Sequence, residues 1–143
     1  MAIFSIAIRT TSLTSTSAAA EIIAGANNAY RLMELGLTIS TGTASVVGYG
    51  TPAAKGVTPG TESTVQAEDS GNTTAGNTVV AATWATAPTA PTNYLRRVSL
   101  PATIGAGIIW TFPRGRTVLK TITDVLYNVI TGSLLDMWFV VDE

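Results

Sequence analysis

The fold is decided by the alternation in Arg31-Leu32-Met33-Glu34-Leu35-Gly36-Leu37-Thr38-Ile39. From Met33 to Ile39 the odd-numbered residues are apolar, whereas the even-numbered ones are glutamate, glycine and threonine. Successive side chains of an extended strand point to opposite faces. The alternation therefore predicts a strand with one face in a core and the other face outward.

The segment Leu135 to Asp142 repeats this pattern near the other end of the chain. Its odd-numbered residues are leucine, methionine, phenylalanine and valine, and the aspartates Asp136 and Asp142 fall on the opposite side. Trp138 also falls on the outward side. An apolar ring in that position needs cover from elsewhere, so Trp138 is a candidate contact residue.

Other segments rich in β-branched or aromatic residues, closed by Gly, Pro or Asn, predict further strands. These segments are Ile3–Thr10, Ala44–Tyr49, Thr78–Thr86, Tyr94–Leu100, Gly107–Phe112 and Ile122–Ile130.

The segment Glu21–Ala24 is a further candidate strand, which could pair with the next strand through a turn at residues 25–28. Helix over Thr16–Ala29 is the alternative, because its alanine run has good helix propensity. Gly25 and the asparagines after it would leave such a helix too short to be stable without packing. Strand is the favoured interpretation.

Many short strands without a long helical period between them predict one all-β domain over residues 1–143. The expected architecture is an antiparallel β-sandwich or barrel, with the jelly roll as the favoured topology. Residues 50–77 form one long loop region, where we expect a short strand near Ser63–Ala67 and contact with a neighbouring molecule. The proline-rich segment Ala85–Asn93 is predicted to be an extended crossover.

Composition excludes most catalytic devices. The chain has neither histidine nor cysteine, and only 12% of its residues are charged. Histidine is the usual general base, and histidine and cysteine are the usual zinc ligands. With a net charge of −1 the chain also lacks the basic field of a nucleic-acid-binding protein. We expect no cofactor, no metal and no nucleic-acid partner.

The N-terminal segment Met1–Arg9 lacks the charged region and long apolar run of a signal peptide. No other apolar stretch approaches the length that spans a bilayer. The sequence therefore predicts a soluble chain without a membrane partner.

Asp69-Ser70-Gly71 matches the short core of retroviral-type aspartic proteases. Such a site needs its aspartate on a buried apolar turn, so that two carboxylates can share a proton. Polar residues flank the motif here, which favours an ordinary Asx turn. Glu62, Glu68 and Asp69 could offer oxygen ligands to calcium, but they lack the spacing of a calcium loop, and a solvated acidic loop is the favoured interpretation.

Two cationic clusters border aromatic residues, and arginine and the large aromatics are enriched in interface hot spots. The alternatives are ordinary strand-end charges for the arginines and core packing for the aromatic rings. The sequence predicts the anchors and rim of a protein interface at Trp110, Phe112, Trp138, Arg97, Arg114 and Arg116.

The chain resembles a group of small virion proteins of tailed bacteriophages. The resemblance extends over Ala2–Arg9, Leu35–Leu37, Tyr94–Thr103, Ile108–Gly115 and Phe139–Glu143. It implies a β-sandwich or jelly-roll subunit similar to the capsid decoration (cement) proteins, which sit as trimers on assembled heads. The implied partners are further copies of the chain and the major capsid protein, and the implied location is the capsid surface after synthesis in the host cytoplasm.

The sequence therefore leaves three functions open. The first is capsid decoration, in which added interface across capsomer junctions stabilises the head. The second is a tail or fibre module that recognises a host surface. A small aspartic protease is the remote third.

Overall fold

A computed structural model of the protein describes residues 2–10, 16–25, 29–61, 63–72, 76–119, 122–130 and 132–143. The regular secondary structure of these residues is entirely β. Helix over Thr16–Ala29 is wrong, because Ser17–Ile23 is a strand. No helix in the described part of the chain is long and apolar enough to cross a membrane.

Thirteen strands follow one another along the described residues. They are β1 (Ile3–Arg9), β2 (Ser17–Ile23), β3 (Tyr30–Ile39), β4 (Ser45–Gly50), β5 (Val57–Pro59), β6 (Ser63–Thr64), β7 (Gln66–Ala67), β8 (Val79–Ala81), β9 (Trp84–Thr86), β10 (Arg96–Leu100), β11 (Gly107–Val118), β12 (Thr123–Ile130) and β13 (Leu135–Asp142).

The strands form two main sheets in which all pairs are antiparallel. The five-stranded sheet has the order β11-β3-β13-β1-β7, and the six-stranded sheet has the order β10-β4-β12-β2-β8-β6. Strands β5 and β9 form a separate pair. The two sheets enclose one hydrophobic core, to which Phe139 and Leu35 contribute from the first sheet and Tyr49 and Leu126 from the second. The predicted antiparallel β-sandwich is confirmed.

The chain crosses between the sheets rather than turning within one. Strand β2 pairs with β12 and β8, whereas β3 pairs with β11 and β13. The hairpin predicted from Glu21–Ala24 to the next strand is therefore wrong, and part of its predicted turn, residues 26–28, lies outside the described residues. A local glycine and asparagine signal marks a change of direction, but it does not say which sheet receives the next strand.

Alternation locates the core correctly along β13 and most of β3. Leu135, Met137, Phe139 and Val141 are all buried. Leu35, Leu37 and Ile39 of β3 are buried as well. Met33 differs from the prediction, because the β3–β13 register skips it between the pairs Val140–Glu34 and Val141–Leu32. This bulge turns Leu32 into the core in place of Met33.

Several predicted strand segments are divided or extended in the structure. Thr78–Thr86 is broken into β8 and β9, because Ala82 and Thr83 leave the ladder. Strand β11 continues past Phe112 to Val118. The short strand expected near Ser63–Ala67 is present as β6 and β7, which pair with different sheets.

Candidate interaction surface

The outer face of the six-stranded sheet is covered by the chain's own connections. A second apolar cluster lies there, in which side chains of β2 and β12 pack under the segment from β9 to β10. Its members are Ala18, Val125 and Tyr127 below, and Trp84, Ala90 and Tyr94 above. The ring of Tyr94 also packs on Gly48, where no side chain obstructs it. The proline-rich connection predicted as an extended crossover is therefore a lid on this face.

The buried carboxylate of Glu21 holds this cover in place. It accepts hydrogen bonds from the Thr123 hydroxyl at 2.6 Å, from Trp84 Nε1 at 2.7 Å and from the Gly56 backbone N–H at 3.1 Å. The residue is 1% exposed. A buried carboxylate needs such donors to offset its desolvation, and these three tie β12, β9 and the loop after β4 to one side chain of β2.

The outer face of the five-stranded sheet has a different character, and Trp138 lies at its centre. In the register, Trp138 of β13 stands between Gly36 of β3 and Ala7 of β1. Its ring packs on Gly36, where the position of a Cβ would overlap the indole. The indole Nε1 donates to Glu34 at 2.8 Å. Small neighbours on both sides leave the half-buried ring open to solvent above the sheet.

A shallow groove of about 400 Å³ runs beside Trp138. Its walls come from β3, β13 and the start of β11, and they include Leu37, Ile108 and Ile109. Ile109, the register partner of Gly36, is 54% exposed. We call the outward surface formed by Ala7, Gly36, Ile109 and Trp138 the Trp138 face.

Two of the predicted anchors lie in the core instead. Trp110 is 7% exposed and Phe112 is 8% exposed, and both belong to the cluster between the sheets. The Phe112 ring packs against Tyr49 of the opposite sheet, with 5.8 Å between the ring centroids. Trp110 and Phe112 therefore pack in the core. Of the three predicted aromatic anchors, Trp138 is the one on an outer face.

The three predicted rim arginines also differ in their exposure to solvent. Arg97 and Arg114 are exposed. Arg116 is partly buried and forms an ion pair with Asp124, with 3.1 Å between Nε and Oδ2. Arg96, the sequence neighbour of Arg97, is exposed and lies over the Phe112 ring at 5.2 Å from its centroid.

Asp124 organises a polar network at one end of the core, and sequence reasoning missed it. Its carboxylate accepts from the Tyr49 hydroxyl at 2.6 Å and from the Thr51 hydroxyl at 2.8 Å, besides the bonds from Arg116. Arg116 also donates to Thr51 at 2.7 Å. The ion pair raises the pKa of the Arg116 guanidinium. The sign of this network in the sequence was one charged residue, Asp124, among the mostly apolar residues of β12.

Burial has a related effect on the two tyrosines of this region. Tyr30 and Tyr49 are both fully buried. Desolvation, with the nearby Asp124 carboxylate, raises the pKa of each phenol well above its ordinary value of 10.0. Both hydroxyls act as hydrogen-bond donors, to the Ile22 carbonyl and to Asp124. The network is internally satisfied and supports the core.

Asp69 lies in an exposed Asx turn. Its Oδ1 accepts from the Gly71 N–H at 2.9 Å, and its carbonyl accepts from the Asn72 N–H at 2.9 Å. An Asx turn is the structure that the sequence favoured here over an aspartic protease site. Glu62, the first of the three acidic residues considered for calcium, lies outside the described residues. Within the described ranges, no group of three or more acidic side chains is placed to hold a metal ion.

Comparison with protein-family models, with curated proteins and with solved structures finds no match for this chain. What the surface binds has to be inferred from its own chemistry and from the sequence resemblance.

Proposed function

We propose that this chain is a capsid decoration protein of a tailed bacteriophage, which binds as a homo-oligomer across junctions of the major capsid protein. The observation that carries the proposal is the difference between the two outer faces of the sandwich. The chain covers one face with its own loops, whereas Trp138 at the centre of the other face is only half-buried. A face of this kind fits a protein whose work is to dock on a larger surface.

The chemistry of the Trp138 face supports docking on protein. Tryptophan buries a large rigid area at low conformational cost and is enriched in hot spots. The adjacent groove gives a partner side chain a place to insert. Arg9 and Asp136 pair at the side of this face through bonds of 2.5 and 2.7 Å, and they provide a polar rim.

The order of the long strands supports the jelly-roll form of this proposal. Eight of the strands in the described part of the chain have five or more residues, namely β1, β2, β3, β4, β10, β11, β12 and β13. Numbered one to eight along the chain, they lie in the orders 6-3-8-1 and 5-4-7-2 in the two sheets. Each sheet takes alternate strands over the first four positions, as expected for the interleaved Greek keys of a jelly roll.

The test is binding to heads of the encoding phage prepared without this chain. Wild-type protein is expected to co-sediment with them, and Trp138→Ala is expected to lose binding by at least about thirtyfold, because truncated hot spots cost about 2 kcal/mol or more. Ile130→Ala is the matched control, since Ile130 is also exposed but lies on β12 of the other sheet. The control should bind like wild type.

Two results would contradict the proposal. If the wild-type chain failed to bind such heads, decoration would be wrong, and location of the chain on the tail would favour the tail or fibre function. If Trp138→Ala bound as tightly as wild type, the docking face would be elsewhere.

A further inference from the structure

The two sides of the sandwich, where the edges of the sheets meet, are built differently. On one side the edge strands are β6 and β7, which have two residues each and belong to different sheets. Val65 between them is buried, so this short segment closes that side. On the other side the edge strands are β10 and β11, of five and twelve residues. Long edges are exceptional in natural proteins, because their unpaired N–H and C=O groups pair readily with another chain.

Strand β11 consists of a protected and an unprotected part. After Thr111 the strand has Pro113, the exposed Arg114 and a shift of register against β3, all of which hinder pairing with another strand. Its first five residues, Gly107–Thr111, contain neither charge nor proline and keep an unbroken register with β3. Strand β10, in contrast, begins with two exposed arginines. We call Gly107–Thr111 the open edge.

The main-chain groups of the open edge alternate in direction. Just before it, the Ala106 carbonyl accepts from the Ile39 N–H of β3 at 2.8 Å. Residues that bond to the neighbouring strand recur at every second position of an antiparallel ladder. The N–H and C=O groups of Ile108 and Trp110 therefore face β3.

The other three residues of the open edge direct their main-chain groups away from the sheet. They are Gly107, Ile109 and Thr111, and all three are exposed. Among the described residues, no loop backbone group bonds to any of them. Their two-residue spacing is the spacing at which an added strand would form its bonds.

The side chains beside the open edge are apolar on both faces of the sheet. Ile109 is 54% exposed and lines the groove beside Trp138 on the outer face. Ile108 is half-buried and packs at the margin of the core on the inner face. An added strand places alternate side chains on these two faces, so apolar side chains on both of its faces suit the site.

The Phe112 end of the open edge carries positive charge. Arg96 of β10 lies over the Phe112 ring at 5.2 Å from its centroid, and Arg114 is exposed two residues beyond Phe112. Within the part of the chain that the structure describes, neither arginine forms an ion pair. An acidic residue at this end of a partner segment is therefore complementary to the site.

We infer that β11 receives an extended segment of the major capsid protein as an additional strand of the five-stranded sheet. The segment matches Gly107–Thr111 in length, is apolar, and has Asp or Glu at the end nearest Arg114. In strand addition the main-chain bonds give affinity and the alternate side chains give specificity. The identity of the partner rests on the proposed function, whereas the site and the extended form of the ligand rest on the open edge.

The first test compares Ile109→Pro with Ile109→Ala in binding to heads of the encoding phage prepared without this chain. Both variants lose the isoleucine side chain, but only proline also lacks the N–H that faces the partner. Proline is tolerated in an edge strand where that N–H faces away from the sheet. Ile109→Pro is expected to bind at least about fivefold more weakly than Ile109→Ala, because a partner carbonyl loses its donor. Circular dichroism checks that both variants fold.

Hydrogen exchange tests the same contact in the wild-type protein, without any variant. In the free protein the Ile109 amide should exchange fast, whereas the Ile108 and Trp110 amides, which face β3, should exchange slowly. On binding to heads, exchange at Ile109 should slow by at least about tenfold, because its N–H enters a ladder. Ile108 and Trp110 are the internal controls and should remain slow.

The third test uses overlapping synthetic peptides that together cover the major capsid protein. One segment is expected to bind the purified chain and to slow exchange at Ile109. Arg114→Glu should weaken binding of that peptide by at least about threefold, because it places like charges together.

These measurements distinguish failure of strand addition from failure of the proposed function. If heads bind the wild type but leave the Ile109 amide unprotected, or bind Ile109→Pro and Ile109→Ala equally, strand addition is overturned and decoration stands. If a capsid-protein peptide protects the Ile109 amide but heads do not bind, decoration is overturned and strand addition stands. Absence of binding to both heads and peptides overturns both.

Discussion

Arg116 of β11 donates to both carboxylate oxygens of Asp124 on β12, at 3.1 and 3.2 Å, and so joins the two sheets of the sandwich. Asp124 is completely buried, while the Arg116 side chain keeps 32% of its accessible surface. Removing one member of such a pair leaves the other with an uncompensated charge, and that loss dominates the effect of mutation.

Asp124→Asn is therefore expected to lower the free energy of unfolding by about 2–4 kcal/mol. The variant loses the charge that Arg116 pairs with and weakens the bonds from Tyr49 and Thr51. Urea denaturation measures the change. Asp136→Asn is the matched control, because its pair with Arg9 is exposed and should contribute little. Equal effects of the two substitutions would contradict the assigned role of Asp124.

Alkaline pH should unfold the protein through Tyr30 and Tyr49. Their folded pKa values are raised above the ordinary value, so the stability that they contribute is complete below about pH 10 and is lost as the pH rises further. The expected slope is about 1.4 kcal/mol per pH unit for each tyrosine. Tyr49→Phe should show a shallower slope. Tyrosinate absorbance from these residues should appear together with unfolding, and its appearance in folded protein would contradict the prediction.

Alanine substitution should lower the free energy of unfolding more at Trp110 than at Trp138, because Trp110 lies in the core and Trp138 on an outer face. Trp110→Ala is expected to cost about 3–5 kcal/mol, because it empties a site in the core between the sheets. Trp138→Ala removes a half-buried ring from an outer face and should cost clearly less. Thermal melts of both variants make the comparison. If Trp138→Ala were the more damaging to stability, the ring would be acting in the fold of the subunit, and its use as a docking residue would lose support.

Sequence periodicity was sufficient for those strands that keep a strict two-residue repeat. Phe139 and Leu35 are placed correctly because each strand passes through the sheet without interruption at that point. Met33 is misplaced because a bulge shifts the repeat by one residue, and a bulge depends on the partner strand rather than on local sequence. Phe112 precedes a proline that ends a predicted strand, yet β11 resumes after a four-residue protrusion.

The candidate surface was only partly predictable for a related reason. Trp138 could be found because it breaks the polar side of an alternating strand. The burial of Trp110 could not be read from its segment, because Ile109 and Trp110 point to opposite faces and both are apolar. Asp124 and Glu21 were missed because most of their donors are distant in sequence, as Tyr49 and Thr51 are for Asp124 and Trp84 is for Glu21.

Gly36→Ala should displace the Trp138 ring without removing it. The added methyl group would overlap the indole, so the ring has to rotate away from β3 and break the bond from Nε1 to Glu34. Overpacking of this kind costs about 1–3 kcal/mol in a tight site, and less where the ring can move into solvent. Near-ultraviolet circular dichroism should change, and binding to heads should weaken. Gly42→Ala is the control, since the nearest atom to its added methyl is at 3.6 Å.

Glu21→Gln should loosen the cover of the six-stranded sheet while leaving the core intact. The neutral amide is a weaker acceptor than the carboxylate for the Thr123 hydroxyl, Trp84 Nε1 and the Gly56 N–H, and its NH₂ group faces donors where it needs acceptors. The expected loss of global stability is about 1–3 kcal/mol. Hydrogen exchange should accelerate mainly at Gly56 and in β9, because these contacts depend on Glu21, while β13 and β3 of the other sheet should keep their protection. Uniform acceleration in both sheets would show that Glu21 supports the whole sandwich rather than its cover.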